Sequence, residues 1–266
     1  MWQRGGVGAR AGLGAKGGGH HRRRQREPGC LAPSGGGGGA RVLRNPSNLG
    51  FGAACNRGAA VVETPFALFL NPDAWLSPGS LAALVGQLCA DPGIAAAGPL
   101  LRLHGQIPLP RQSALLDVDD PPTFTTLPRQ TRDVGFLSGA ALLVRMTAFR
   151  ALDGFDEHIF LYLEDDDLCF RLRQAGHRLR LVPAAVVDHD QVASARRLCQ
   201  RNRHTLQSMH YLAGKHGVDF DFTAKRRQAW RRLALALLLA DRRRLQVNLG
   251  RLQGLGALPF GAGARR

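Results

Sequence analysis

The hydrophobic pattern splits the chain into an unpatterned front, an alternating middle and a helical tail. Residues 1–40 mix glycine runs (Gly17 to Gly19, Gly35 to Gly39) with arginine clusters and carry no apolar period. That composition predicts a low-complexity, disordered segment. The pattern begins near Arg41. Pro65 to Leu70 is a continuous apolar run, as expected of a strand buried on both faces, and Asn71-Pro72 closes it with a turn signal. Ser77-Pro78 predicts an N-cap followed by a first-turn proline. The helix it opens carries Leu81, Leu84, Val85 and Leu88 on one face and stops at Asp91-Pro92-Gly93. Ile94 to Ala97 then predicts a second strand. Strand, helix, strand in this order predicts an α/β fold with a mostly parallel sheet flanked by helices.

Residues 102–135 are rich in Pro, Asp and Thr and predict a long surface excursion. Ala140 to Val144 predicts a buried strand, and Thr147 a cap for a short helix ending at Gly154. Glu164 opens a helix through Gln174, stopped by Ala175-Gly176. Arg178 to Val187 predicts a strand broken at Pro183, and beyond Ser194 the pattern is helical and basic. Three parts follow: 1–40, a domain over 41–215, and a basic amphipathic tail over 216–266.

Composition changes this picture in one respect. Lys and Arg number 36 against 20 Asp and Glu, a formal charge of +16. Such a balance favours anionic partners: nucleic acid, acidic lipid or phosphorylated small molecules. A nucleic-acid arm at 1–40 lacks aromatic side chains for base stacking apart from Trp2, which ranks that partner last. The five cysteines (Cys30, Cys55, Cys89, Cys169, Cys199) have no metal-finger spacing and read as incidental thiols of a reducing compartment. There is no apolar secretory core at the front and no run of the ~20 apolar residues a membrane span needs. A cytoplasmic placement follows.

The strongest chemical signal is Glu164-Asp165-Asp166-Asp167, four carboxylates in a row. A helix start offsets part of their repulsion through its dipole, and Asp167 can pair with Arg171 four residues on. That reading makes the run a solvated helix end. The apolar segments on both sides, Phe160 to Leu163 and Leu168 to Leu172, favour a cleft floor instead, where a general base or a metal would sit. Asp73 follows the carboxyl end of the first strand, the usual ligand edge of an α/β sheet, although a turn residue would look the same. His189 ends the last strand and is open to a structural reading as well.

Asn48-Leu49-Gly50-Phe51 through Asn56-Arg57-Gly58, Asn71-Pro72-Asp73, Ser138-Gly139-Ala140, Gly154-Phe155-Asp156-Glu157, Phe160 to Arg171 and His189 occur in one order. Together they resemble the signature of bacterial family-two inverting glycosyltransferases, rhamnosyltransferase-like, over roughly residues 41–215. The resemblance implies the GT-A fold and transfer of a sugar, with rhamnose as a guess, from a nucleotide diphosphate donor to a glycan or lipid-linked acceptor in cell-wall or polysaccharide synthesis. It implies Asp165 as the base, with Glu164 and Asp167 orienting it. Donor contacts fall to Asn48, Gly50, Asn56, Asn71 and Asp73, and acceptor contacts to Ser138, Gly139 and Asp156. Mg2+ or Mn2+ would bind Asp73, with His189 as a second ligand.

The family's first strand, helix and strand have no counterpart in residues 1–40, so a wrong start, a frame error or a truncated gene is expected there. Two other readings stand beside the enzyme: a degenerate, non-catalytic relative that binds a sugar or partner, and a basic nucleic-acid binder. Lys225 to Arg243 alternates arginines with a leucine-rich run. It reads either as a helix packed on the domain or as an interfacial helix on an anionic membrane surface, at the inner face of the cell membrane.

Overall fold

The computed structural model describes residues 41–111, 113, 124–190 and 195–256. The expectations for residues 1–40 and for most of the 112–123 stretch therefore lie outside the described residues. The elements are α1 (Phe51–Ala59), β1 (Phe66–Leu70), β2 (Ala74–Leu76), α2 (Ser80–Ala90), β3 (Ile94–Arg102), β4 (Arg132–Asp133), β5 (Ala141–Arg145), α3 (Met146–Ala151) and α4 (Glu164–Gln174). They are followed by β6 (Arg178–His189), α5 (Ala195–His216), α6 (Phe222–Leu238) and α7 (Arg242–Gly254).

One sheet of six strands runs β1-β5-β3-β6-β2, and β4 pairs with β6 beside β2. The α/β class holds, but the mostly parallel sheet does not. Only β3 and β6 are parallel; β1/β5, β3/β5, β2/β6 and β4/β6 are antiparallel. The unit β1-α2-β3 does return its second strand in the direction of the first. β5 then inserts between them and runs against both. A continuous apolar run reports burial on both faces and carries no information on direction, which is why β5 could not be oriented in advance.

β6 is long enough to serve two short edge strands. Its register against β3 jumps from Pro99↔Val182 to Leu100↔Val186, so Pro183 to Ala185 form a bulge. Proline has no N–H to offer a ladder and is tolerated there. Two helix starts differ from expectation. α2 begins at Ser80 after Gly79 in left-handed backbone (φ 79), and Ser77 instead accepts the Ser80 N–H in the preceding turn. α3 begins at Met146, so Thr147 lies within its first turn; the strand runs into the helix with Arg145 at the cap position.

The core beneath the sheet is aromatic. Phe69, Phe149 and Phe155 meet with ring centroids 5.0–5.4 Å apart, and Phe51 joins Phe155 at 6.0 Å. A second cluster sets Leu84 and Leu88 of α2 against Ile94, Ala97, Leu143 and Val182. Full burial of each leucine contributes about 2 kcal/mol. Leu81, expected on the same face, stays 39% exposed. Behind α4, helix α5 packs Met209, Leu212 and Ala213 on Ile159 and Leu163. α7 lies close along α5, because Gly250 and Gly254 face the backbone oxygens of Cys199 and Arg203 where a Cβ would collide. α6 covers α7 through Ala229, Leu233 and Leu252.

Candidate active site

Strand directions bring the chemistry to one edge of the sheet. β1, β3 and β6 end there, and β2 and β5 begin there: Leu70 pairs with Ala141, Ala74 with His189 and Arg102 with Asp188. Asn71 and Asp73 follow β1, Ser138 to Ala140 precede β5, and His189 closes β6. This is the carboxyl edge at which open α/β sheets hold ligands.

Helix α4 delivers the carboxylates to that edge. Its entry is strained, since Tyr162 and Leu163 both take left-handed backbone (φ 69 and 68) although neither is glycine. Bulky residues rarely adopt this conformation, and the tight bend turns the helix start toward the sheet. The four acids then diverge by helical geometry. Asp165 turns to the rim, where its Oδ2 accepts the Gly139 N–H at 2.8 Å and its Oδ1 the Asp166 N–H at 3.1 Å. The approach at Gly139 is close, since a Cβ there would lie 3.2 Å from the Asp165 Cβ. Asp166 is fully buried and accepts from Arg111 Nη2 at 2.8 Å, which also stands 3.9 Å from Asp165 Oδ1. The Arg111 guanidinium lies over the Phe136 ring at 4.5 Å.

Glu164 is buried with its Oε2 lacking a hydrogen-bond partner. Burial first, and the negative charge of Asp165 next, push its pKa up to about 8. At neutral pH it is mostly protonated. Asp167 faces the other way. It is fully buried and accepts from Arg171 Nε (2.7 Å), Lys215 Nζ (2.7 Å) and His216 Nε2 (2.8 Å), so it locks α4 to α5. Arg171 spends its other nitrogens on the Leu152 and Gly154 carbonyls.

The chain of contacts from Asp165 to Asp73 is short. Gly139 holds Asp165, the next residue's carbonyl (Ala140) accepts the Asn71 N–H at 2.9 Å, and Asn71 Nδ2 lies 3.3 Å from His189 Nε2. His189 Nε2 stands 3.2 Å from Asp73 Oδ1. Asp73 Oδ1 and His189 Nδ1 are buried without a hydrogen-bond partner. Asp73 Oδ1 and His189 Nε2, 3.2 Å apart, suit neighbouring positions on an octahedral Mg2+ or Mn2+, whose metal–ligand distance is about 2.1 Å. Among the described residues no group of three or more His, Cys, Asp or Glu could hold a metal alone. The pair fits a cation that takes its remaining oxygens from substrate and water.

Of the remaining expected residues, Ser138 stays at the rim, while Asn48, Gly50, Asn56 and Asp156 contact other segments. Asn56 uses its side chain on the Phe155 N–H and carbonyl and on Glu157, tying α1 to the segment before α4. Gly50 abuts the Phe160 carbonyl, where a Cβ would lie 2.1 Å away, and its N–H donates to Asn48 Oδ1. These contacts fasten α1 and the turn before it to the segment that leads into α4. Ser138 Oγ accepts the Ala140 N–H at the rim. Asp156 faces α5, accepting from Lys215 (2.6 Å) and Tyr211 (2.9 Å). Burial alone would raise its pKa, but those bonds and the His158 N–H outweigh burial and hold it below the usual carboxylate range. Arg111, Lys215 and His216 were not expected. Each reaches the acids from 48–55 positions away, and no local pattern announces such a pairing.

The mixed sheet gathers polar residues on its carboxyl edge, and the Asp165 carboxylate reaches that edge from a helix start, the usual place for a ligand in an α/β enzyme. Comparisons with known proteins give the class, a GT-A glycosyltransferase. Residues 30–153 match the family model described as Glycosyl transferase family 2. The chain is 34% identical over 238 residues to the N-acetylglucosaminyl-diphospho-decaprenol L-rhamnosyltransferase of Mycobacterium tuberculosis, covering 79% of this chain and 75% of that protein. It is also 39% identical over 154 residues to the pre-mycofactocin glycosyltransferase of the same organism, 56% of this chain and 32% of that one. Among solved structures, GalNAc-T7 with UDP, GalNAc and Mn2+ shares the fold with a TM-score of 0.51 at 17% identity, over 71% of this chain and 39% of that one. The protein belongs to glycosyl transferase family 2, and it is a nucleotide-sugar glycosyltransferase.

Proposed function

We propose that the protein transfers rhamnose, with inversion, from a nucleoside diphosphate donor to a hydroxyl of a lipid-linked sugar diphosphate in cell-wall assembly. The sugar and the acceptor class follow the mycobacterial rhamnosyltransferase, a relative matched over 79% of this chain. One observation carries the mechanism: Asp165 and the Asp73–His189 pair belong to one sheet edge, linked through Gly139, Ala140 and Asn71.

Asp165 is the base. Gly139 and Asp166 each fill one acceptor site on its oxygens, which fixes its direction and leaves lone pairs for the incoming acceptor hydroxyl. As that oxygen bonds to the anomeric carbon, its proton passes to Asp165 and the opposite carbon–oxygen bond breaks, releasing nucleoside diphosphate. Burial, and then the Asp165 charge, raise the Glu164 pKa and so favour its protonated form beside the base. Arg111 compensates the buried Asp166 and stabilises the charged run. Asp73 and His189 are the residues that would hold Mg2+ or Mn2+, which when bound neutralises the leaving diphosphate. Asp156 and Asp167 act by securing α5 against the site.

The site is tested by donor turnover in the presence of Mn2+. Asp165→Asn should lower kcat by about 10²–10⁴-fold while leaving nucleoside diphosphate binding intact. Retained turnover would remove Asp165 from the chemistry. A lipid-linked acceptor also requires work at a membrane surface, here assigned to the cytoplasmic face. Among the described residues no helix is long and apolar enough to cross a membrane.

A further inference from the structure

The leucine-rich part of the tail is divided between two environments. Ala229, Leu233 and Ala236 are buried, with Ala229 and Leu233 packed on Leu252 of α7. Leu235, Leu237, Leu238 and Leu239 are turned out, with exposures of 49%, 63%, 83% and 55%. These four crowd the end of α6 and the turn into α7. Leu239 is the C-cap, and Ala240 reverses the chain in left-handed backbone (φ 50). Asp241 then caps α7 by accepting the Arg244 N–H at 2.9 Å. The turn is well formed, and its exposed leucines contribute nothing visible to its own packing.

Charge surrounds this apolar tip. Arg226, Arg227, Arg231 and Arg232 are exposed along α6, and Arg242, Arg243 and Arg244 are exposed where α7 begins. Asp241, already used as a cap, is the one acidic residue between Phe222 and Gly256. Trp230 is 43% exposed seven residues before Leu237, so the two share a helix face. Contiguous exposed leucines inside a cationic border match a bilayer: the apolar side chains enter the acyl boundary, and arginine stems let the guanidinium groups stay at the headgroups. The same border suits an anionic leaflet, which attracts each nearby arginine. Of the two readings that the sequence leaves open for 225–243, the burial of Ala229, Leu233 and Ala236 fits a helix packed on the domain, and the exposed leucines lie at its end.

We propose that the α6–α7 turn, Leu235 to Ala240 with the arginines beside it, docks the protein on an anionic lipid bilayer. The proposal extends the lipid-linked acceptor reading above, since it supplies the contact that brings the enzyme to such a substrate. The test is flotation of the full chain with phosphatidylcholine vesicles, with and without phosphatidylglycerol, at low and high salt. Wild type should float with the anionic vesicles at low salt and lose much of that binding at high salt. A triple variant, Leu237→Ser, Leu238→Ser and Leu239→Ser, should bind them roughly tenfold or more weakly. Arg242→Gln with Arg243→Gln should weaken binding only where phosphatidylglycerol is present. Failure of wild type to float, or equal flotation of the triple leucine variant, overturns the proposal. So does a dimer in lipid-free solution that the triple variant dissolves, because the tip then belongs to a second copy. Turnover of a short-chain, water-soluble acceptor separates the two ideas: it should be unchanged in the triple variant. Vesicle binding without turnover of any such acceptor would fail the functional reading and leave the docking intact.

Discussion

Asp165, Glu164 and Arg111 act as one electrostatic unit. Two adjacent carboxylates in a sparsely hydrated site cannot both ionise cheaply, and the more deeply buried one keeps its proton. For Glu164 the consequence is measurable. Its pKa in the folded protein is raised to about 8 from an ordinary value of 4.5, so between those limits the native state holds more protons than the unfolded chain. Its contribution to stability therefore falls as pH rises through that window. Glu164→Gln removes the dependence, and its melting temperature should decline less than that of wild type between pH 5 and 8. An equal decline in both would show that Glu164 is ionised at neutral pH. Arg111 gives a second prediction. Arg111→Ala leaves Asp166 buried without its guanidinium, and kcat should fall by about tenfold or more. Arg111→Lys should recover part of that loss. Of these contacts, the Asp167–Arg171 pair could be read from four-residue spacing on one helix. The Asp165–Gly139 and Asp166–Arg111 contacts could not, since they join segments distant in sequence.

The elements themselves were legible where a local signal was strong. The apolar run of β1, the acidic start and glycine stop of α4, and the four-residue period of α2 each encode one element in a short window. Their starts were less legible: Ser77-Pro78 and Thr147 have the chemistry of caps, yet Gly79 and Arg145 occupy the cap positions. β5 illustrates the larger gap. Its sequence states that it is buried, and its antiparallel course between β1 and β3 is set by where Ser138 to Ala140 must lie to meet Asn71 and Asp165. α2 supports this sheet through two leucines. Leu88→Ala should cost about 2–5 kcal/mol in a chemical denaturation experiment, because its side chain is fully buried and its neighbours leave little room to collapse. Leu81→Ala, on the exposed side, should change stability by less than about 1 kcal/mol. Equal costs would mean that α2 does not pack by this face.

Taken as one body, the protein sets its site between a sheet edge and a helix start, then braces that helix from behind with α5. Lys215 and His216, on the last turn of α5, both reach Asp167. In the proposed reaction the acidic run serves two purposes, chemistry at Asp165 and anchorage at Asp167, which the sequence presents as one uniform stretch. Its family was legible because the six segments fall in order. The division of the tail leucines was not, because a run of Leu and Ala has no polar face to show which side packs. Asp73 and Asp165 serve a single donor–acceptor site in the proposed reaction. Calorimetric titration of the donor's nucleoside diphosphate in Mn2+, run on wild type, Asp73→Asn and Asp165→Asn, addresses that directly. Binding should weaken by roughly tenfold or more in Asp73→Asn and stay unchanged in Asp165→Asn, although both variants lose turnover. Unchanged binding in Asp73→Asn, or full turnover in Asp165→Asn, would contradict it.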